Sequence, residues 1–128
     1  MAEKRPLLSK RELDVARVVW RLREATLGQV FEEFSKQDTL DYTTIHSYLK
    51  RLVTKGYLST RLLGRYKLYS AKVRPKKVMR ETVDDFMQRV FDGDTLALVD
   101  FLISEHGLSP DDVRKLQAML SELEAKQR

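Results

Sequence analysis

A chain of 128 residues that is 42% hydrophobic and 34% charged, with 5 Gly and 3 Pro, has the composition of a folded, helix-rich protein, which excludes disorder; having no Cys, it also excludes disulfides, thiol catalysis and thiolate metal sites. No apolar run approaches a membrane span and the start, Met1 to Arg5, is charged, so neither membrane insertion nor a signal peptide is expected and the chain is expected in the cytoplasm. The net charge of +5 is unevenly placed: residues 1–74 hold 16 Lys+Arg against 8 Asp+Glu, whereas residues 75–128 hold 8 against 11.

Ser9-Lys10-Arg11-Glu12 reads as a capping box, in which a hydroxyl and a carboxylate each satisfy one free amide. A helix is predicted from there to about Leu22, with Leu13, Ala16, Val19 and Trp20 on its apolar face. Ala25 and Thr26 suit a brief strand. Thr26-Leu27-Gly28-Gln29 repeats the box and predicts a short second helix that buries Val30, Phe31 and Phe34. After a polar linker, Ser35 to Thr39, a third helix is expected from Tyr42 or Thr43 to Lys55, with Asp41 as N-cap and Gly56 as its stop.

At 100° per residue, Ile45, Leu49, Leu52 and Val53 of that helix fall on one side, opposite Thr43, Ser47, Lys50, Arg51 and Thr54. A hydroxylic and basic face suits a DNA major groove, where such side chains reach base edges and phosphates. It equally suits a solvated surface. Two β-prone runs follow, Tyr57 to Leu62 and Tyr66 to Ala71, joined by Leu63-Gly64-Arg65. The hairpin reads either as a wing, its Arg61, Arg65 and Lys67 lying along a DNA backbone, or as an exposed hairpin with protective edge charges. Tyr57, Tyr66 and Tyr69 are expected to fill the core of this hairpin, which weakens any RNA-stacking reading. The basic balance of the first part favours a polyanion, because neutralised phosphates release condensed counterions.

The basic stretch Lys72 to Lys77, containing Pro75, marks the expected domain boundary, giving residues 1–74 and 75–128. Val78, Thr82, Val83, Phe86, Met87, Val90 and Phe91 predict a helix that ends at Gly93. Leu96 to Ile103 is nearly all apolar, and Ser109-Pro110-Asp111-Asp112 starts a last helix that carries Val113, Leu116, Leu120 and Leu123. A segment this short and apolar needs a partner to complete its core, so a homodimer is expected; the alternative has these helices folding back on the first domain. The fold class is therefore mainly α with a small β-hairpin wing: a winged helix-turn-helix domain followed by a three-helix dimerisation domain.

Along nearly its whole length the chain resembles the penicillinase-repressor family. The resemblance is carried by Leu8-Ser9-Lys10-Arg11-Glu12-Leu13 and Val18-Val19-Trp20, by Glu24-Ala25-Thr26 with Gln29-Val30, by the run from Tyr42 to Leu52 closed by Lys55-Gly56-Tyr57-Leu58, by Gly64-Arg65, and by Leu108-Ser109-Pro110. It implies a homodimer that binds double-stranded DNA at an inverted-repeat operator until a signal releases it. By position it assigns DNA contacts to Tyr42, Thr43, Thr44, Ser47, Lys50, Arg51 and Arg65, with His46 at the edge of that face, either touching a phosphate or packing at the helix flank. Val83, Phe86, Val90, Leu98, Phe101, Leu102, Leu116, Leu120 and Leu123 would form the dimer contact. In antibiotic-responsive members a membrane metalloprotease sensor cuts an Asn-Phe bond; the aligned pair here is Asp100-Phe101, with Asp replacing Asn. Copper-responsive members use C-terminal cysteines, and this chain has none.

No catalysis, cofactor or metal is expected. His46 and His106 are far apart, no zinc-protease, serine-hydrolase or phosphate-loop motif occurs, and the pairs Asp84-Asp85 and Asp111-Asp112 splay apart on a helix. A winged helix that binds protein instead of DNA is the main alternative, and it calls for an acidic or apolar outward face on the third helix.

Overall fold

The computed structural model describes residues 5–36 and 40–128; residues 1–4 of the charged start and residues 37–39 of the expected polar linker lie outside them. The elements run α1 (Lys10–Leu22), β1 (Glu24–Ala25), α2 (Leu27–Ser35), α3 (Tyr42–Thr54), β2 (Leu58–Leu63), β3 (Tyr66–Ala71), α4 (Pro75–Phe91), α5 (Thr95–His106) and α6 (Pro110–Lys126). The three strands form one antiparallel sheet in the order β1-β3-β2. The chain divides into two compact units, Met1–Thr82 and Val83–Arg128. This division falls inside α4, whereas the sequence suggested a boundary before Pro75. The first turn of α4 accounts for the difference, because Val78 is buried in the core of the first unit.

Both capping boxes form. Ser9 Oγ accepts from the Glu12 amide while the Glu12 carboxylate accepts from the Ser9 amide, and Thr26 with Gln29 does the same. Thr26 is thereby committed to the cap, so the brief strand is Glu24–Ala25 and stops one residue earlier than expected. Asp41 caps α3 through the Thr44 amide at 2.8 Å, and this bond, with the Thr44 side chain, holds the Asp41 carboxyl below its ordinary pKa. Gly56, at φ +88°, takes the left-handed conformation that ends α3. The amide of Tyr57 then returns to the Leu52 carbonyl at 2.9 Å. Tyr57 is therefore part of the helix exit, and β2 begins at Leu58.

The core of the first unit is built by α1, α2 and α3 against the sheet. Val15, Ala16, Val18 and Val19 of α1 meet Val30 and Phe34 of α2, and Ile45, Leu49 and Leu52 of α3. Trp20 and Phe31, expected on buried faces, pack only partly buried against this core, and Leu13 is also only partly buried. Each fully buried Ile, Leu or Val contributes about 1.5–3 kcal/mol, so the α3 stripe alone is a large part of what holds this helix in place. Leu58, Leu68 and Tyr69 close the sheet side of the unit and are buried, as is Tyr57. Tyr66 departs from expectation: it is 65% exposed, pairing with Leu63 next to the turn of the hairpin.

Among the described residues, one charged side chain lies in this core. Glu12 is 2% exposed, and Lys55 at the end of α3 donates to its Oε1 at 2.7 Å and to the Leu7 carbonyl at 3.0 Å. Burial pushes the Glu12 carboxyl up, but the Lys55 hydrogen bond and charge, together with the Ser9 bonds, outweigh it and leave its pKa lowered. The chain before α1 is tied down in the same region: Tyr57 donates its hydroxyl to the Pro6 carbonyl at 2.6 Å, and Arg5 lies over the Tyr57 ring and pairs with Glu81 of α4.

The second unit contains the end of α4 with α5 and α6, each well formed. Asp94 caps α5, Ser109 caps α6 with Pro110 at its first position, and His106 is the last residue of α5. Phe86, Phe91 and Phe101 meet edge to face, with centroids 5.9 Å apart at each step. Even so, none of its residues is buried.

Replacing Glu12 by Gln should destabilise the chain by about 1–3 kcal/mol at neutral pH, because Lys55 loses a charged acceptor. A carboxyl whose folded pKa is depressed stabilises above its unfolded value of about 4.3 and loses that contribution as pH falls through the folded value. Urea unfolding at pH 7 and at pH 3.5 is therefore expected to separate Glu12→Gln from the parent at the higher pH and to narrow the gap between them at the lower.

Candidate nucleic-acid interface

The burial stripe on α3 dictates what the opposite side presents. With Ile45, Leu49 and Leu52 inward, Thr43, Ser47, Lys50, Arg51 and Thr54 are all exposed. Thr44 is half-buried behind the Asp41 cap, and His46 is half-buried at the edge of the face. Tyr42 is 50% exposed and rests edge-on against Phe31 of α2, centroids 5.4 Å apart. Arg51 lies 5.3 Å from the centre of the Tyr48 ring, a cation–π contact that supports the guanidinium without neutralising it. Lys50 and Arg51 have no acidic partner among the described residues.

The hairpin carries the second group. Gly64 and Arg65 form its two-residue turn, with Leu63 paired to Tyr66. Gly64 sits at φ +63°, a conformation that favours glycine at the first turn position. Arg65 and Lys67 are exposed and have no ion pair among the described residues. Arg61 behaves differently from expectation. Its Nε and Nη2 each donate to the Glu24 carboxylate at 2.7 Å, so the guanidinium clips β2 to β1 across the sheet and its charge is matched. This bidentate bond lowers the Glu24 pKa and raises that of Arg61. Nothing in the local sequence pairs positions 24 and 61; only the β1-β3-β2 order brings them together.

Helix start and wing meet in a cleft of about 290 Å³. Tyr42 and His46 of α3 line one side, and Arg65, Tyr66 and Lys67 of the wing line another. Thr26, Leu27 and Gly28 at the start of α2, with Tyr69 of β3, complete it. Of the residues singled out from sequence for DNA, Tyr42, His46, Arg65 and Lys67 converge here, whereas Thr43, Ser47, Lys50 and Arg51 lie along the exposed face of α3. The α2 start and Tyr66 were not anticipated, although the second capping box did mark where α2 begins. The tip also exposes Leu62 and Leu63, at 71% and 57%.

Three packed helices, a two-stranded wing and a hydroxylic, cationic third helix define a winged-helix protein of the DNA-binding class. The sequence profile described as Penicillinase repressor matches residues 8–122, and the chain belongs to that family, whose members are DNA-binding transcriptional repressors and not enzymes. The penicillinase repressor of Bacillus licheniformis is 28% identical over 120 residues, covering 94% of each chain. The methicillin resistance regulatory protein MecI of Staphylococcus aureus strain N315 is 24% identical over 114 residues, 89% of this chain and 93% of that one. A solution structure of Bacillus licheniformis BlaI, in its monomeric form in complex with the blaP half-operator, is similar at a TM-score of 0.51 and 32% identity, covering 59% of this chain and 92% of that one. Among the described residues, no helix is long and apolar enough to cross a membrane.

Because the Arg61 charge is already matched by Glu24, Arg61→Ala should leave the salt dependence of DNA binding unchanged. Lys50→Ala should reduce the slope of log affinity against log salt by about 1, as expected when one phosphate contact is lost. Fluorescence anisotropy with one duplex over a salt series separates the two variants.

Proposed function

We propose that this chain represses transcription from the bacterial cytoplasm by binding, as a homodimer, an inverted-repeat operator in double-stranded DNA, and that a signal acting on its second unit releases it. The observation that carries the DNA reading is the exposed row Thr43, Ser47, Lys50 and Arg51 on a helix whose other side buries Ile45, Leu49 and Leu52 completely. A helix fixed in this way fits the major groove, and the wing supplies Arg65 and Lys67 to the flanking backbone. Support also comes from the 32% identity to a domain solved with its half-operator. A protein-binding winged helix calls for an acidic or apolar outward face on α3, and this face is neither.

The homodimer reading draws on the second unit. Val83, Phe86, Val90, Phe101, Leu102, Leu120 and Leu123 are all exposed, and Leu98 and Leu116 are half-buried. Well-formed helices with no buried residue need a further surface to complete their core, and a second copy supplies one with two-fold symmetry. In this reading residues 1–74 bind DNA and residues 75–128 dimerise, with α4 leading from one to the other. For release, Asp100 and Phe101 are exposed in the middle of α5. A membrane metalloprotease sensor would have to unwind α5 locally to take that bond as an extended substrate, and would have to accept Asp where the family bond has Asn.

A rigid two-fold dimer needs half-sites in phase with the groove, with centres about 10–10.5 base pairs or a multiple apart. In a gel-shift series on the repeat recovered by genomic DNA capture, moving one half-site by about half a turn should abolish tight binding; unchanged affinity would refute the rigid dimer. Arg51→Ala is expected to weaken operator binding with the dimer mass intact, whereas Leu120→Glu should lose both. Light scattering beside the binding assay distinguishes them, and equal dimer loss in both variants would sink this division of roles.

A further inference from the structure

We propose that Arg5 is a latch that fixes the direction in which α4 leaves the first unit, which makes it a positioning residue for the spacing of operator half-sites. This inference rests on the dimeric operator reading and adds the residue that keeps the spacing strict. Within α4 only Val78 is buried among the described residues, at 1% exposure in the core of the first unit. A helix pinned through one side chain can still pivot about it. Glu81 lies one turn further on, about 4.5 Å along the axis, and its carboxylate is held by the Arg5 guanidinium. Two pins a turn apart set a direction, and α4 continues unbroken from them to Phe91.

The other side of the latch rests on the exit of α3. The Arg5 stem passes over Gly56, where an added Cβ would meet its Cγ and Cδ at 3.7 Å, and its guanidinium lies 5.6 Å from the centre of the Tyr57 ring. The backbone that follows is tied to the same exit: Tyr57 donates to the Pro6 carbonyl at 2.6 Å and Lys55 to the Leu7 carbonyl at 3.0 Å. Arg5 therefore joins the end of α3 to the base of α4 by a route that bypasses the wing. Its hold is limited. The two side chains of the ion pair are 22% and 44% exposed, and ion pairs that reach solvent are weak. Arg5 Nε is buried without a partner among the described residues, a cost that disappears when the guanidinium swings into water. A contact of this strength positions a helix without being needed to fold it.

The test uses the full chain and the inverted-repeat duplex that it selects from a random pool, resynthesised with the half-sites moved by one and by two base pairs in each direction, beside a duplex with a single half-site. The parent should bind one spacing best and lose affinity on either side of it. Arg5→Met keeps an unbranched stem over Gly56 and removes the charge, and Glu81→Gln removes the charge of the acceptor alone. Each should lower affinity at the best spacing by roughly three- to thirtyfold, since a dimer carries two such latches. The shifted spacings should lose less, so the profile flattens, while single-half-site binding, dimer mass and thermal unfolding stay near those of the parent. Exchanging the charges, Arg5→Glu with Glu81→Arg, returns the ion pair without the stacked guanidinium and should recover part of the sharp profile; no recovery overturns the pairing. Profiles as sharp in both single variants as in the parent refute the latch and leave the dimeric repressor standing. If single-half-site binding falls by the same factor as operator binding, Arg5 acts only on the fold of the first unit and its positioning role is overturned. Selection of no paired half-sites sinks the operator reading and this inference with it.

Discussion

Ile45, Leu49 and Leu52 occupy every third or fourth position of α3 and are completely buried against α1 and α2. A helix held along such a stripe can neither roll nor slide without exposing a branched side chain or opening a void. The remaining architecture follows from that restraint. Asp41 fixes where α3 starts and Gly56 where it stops, so the residues opposite the stripe have a set position and a set angle. The same stop sends the chain directly into β2, which ties the place of the wing to the end of the helix it accompanies.

The Glu12–Lys55 pair works on the same helix from its other end. Glu12 serves the cap of α1 and at the same time accepts from Lys55, the residue that follows α3, so the start of one helix and the end of another share a carboxylate. A buried charge is costly unless paired and hydrogen-bonded, and here both conditions are met. The sheet has an equivalent device in Glu24 and Arg61, which join the short first strand to the outer strand of the wing. Each pair spends a charge on position, and the cations left unmatched on α3 and at the wing tip are the ones free to meet a polyanion.

The two units differ in kind. The first closes around a core of its own, whereas the second has the end of α4, two N-capped helices, a line of phenylalanines and no buried residue. Charge follows the same division: residues 1–82 hold 19 Lys+Arg against 9 Asp+Glu, and residues 83–128 hold 5 against 10. A unit with a closed core beside a unit with none suits the proposed division between DNA binding and dimerisation.

Sequence by itself determined the elements, since their signals are local: two capping boxes, Asp41, Gly56, Gly64 and Ser109-Pro110 each act within a few residues, and helical periodicity separates Ile45 and Leu49 from Lys50 and Arg51. It also carried the family, later matched over residues 8–122. What depends on contacts distant along the chain was not legible. The tying of Arg61 to Glu24, the second role of Glu12, the exposure of Tyr66 and the extension of the first unit to Thr82 arise only when strands pair out of sequence order and when α4 packs its first turn on the core. The cleft is the clearest case, because its lining comes from segments that only the packing of α2, α3 and the wing brings to one opening. Local geometry is written in neighbouring residues; the neutralisation of a charge and the opening of a cleft depend on distances that folding alone creates.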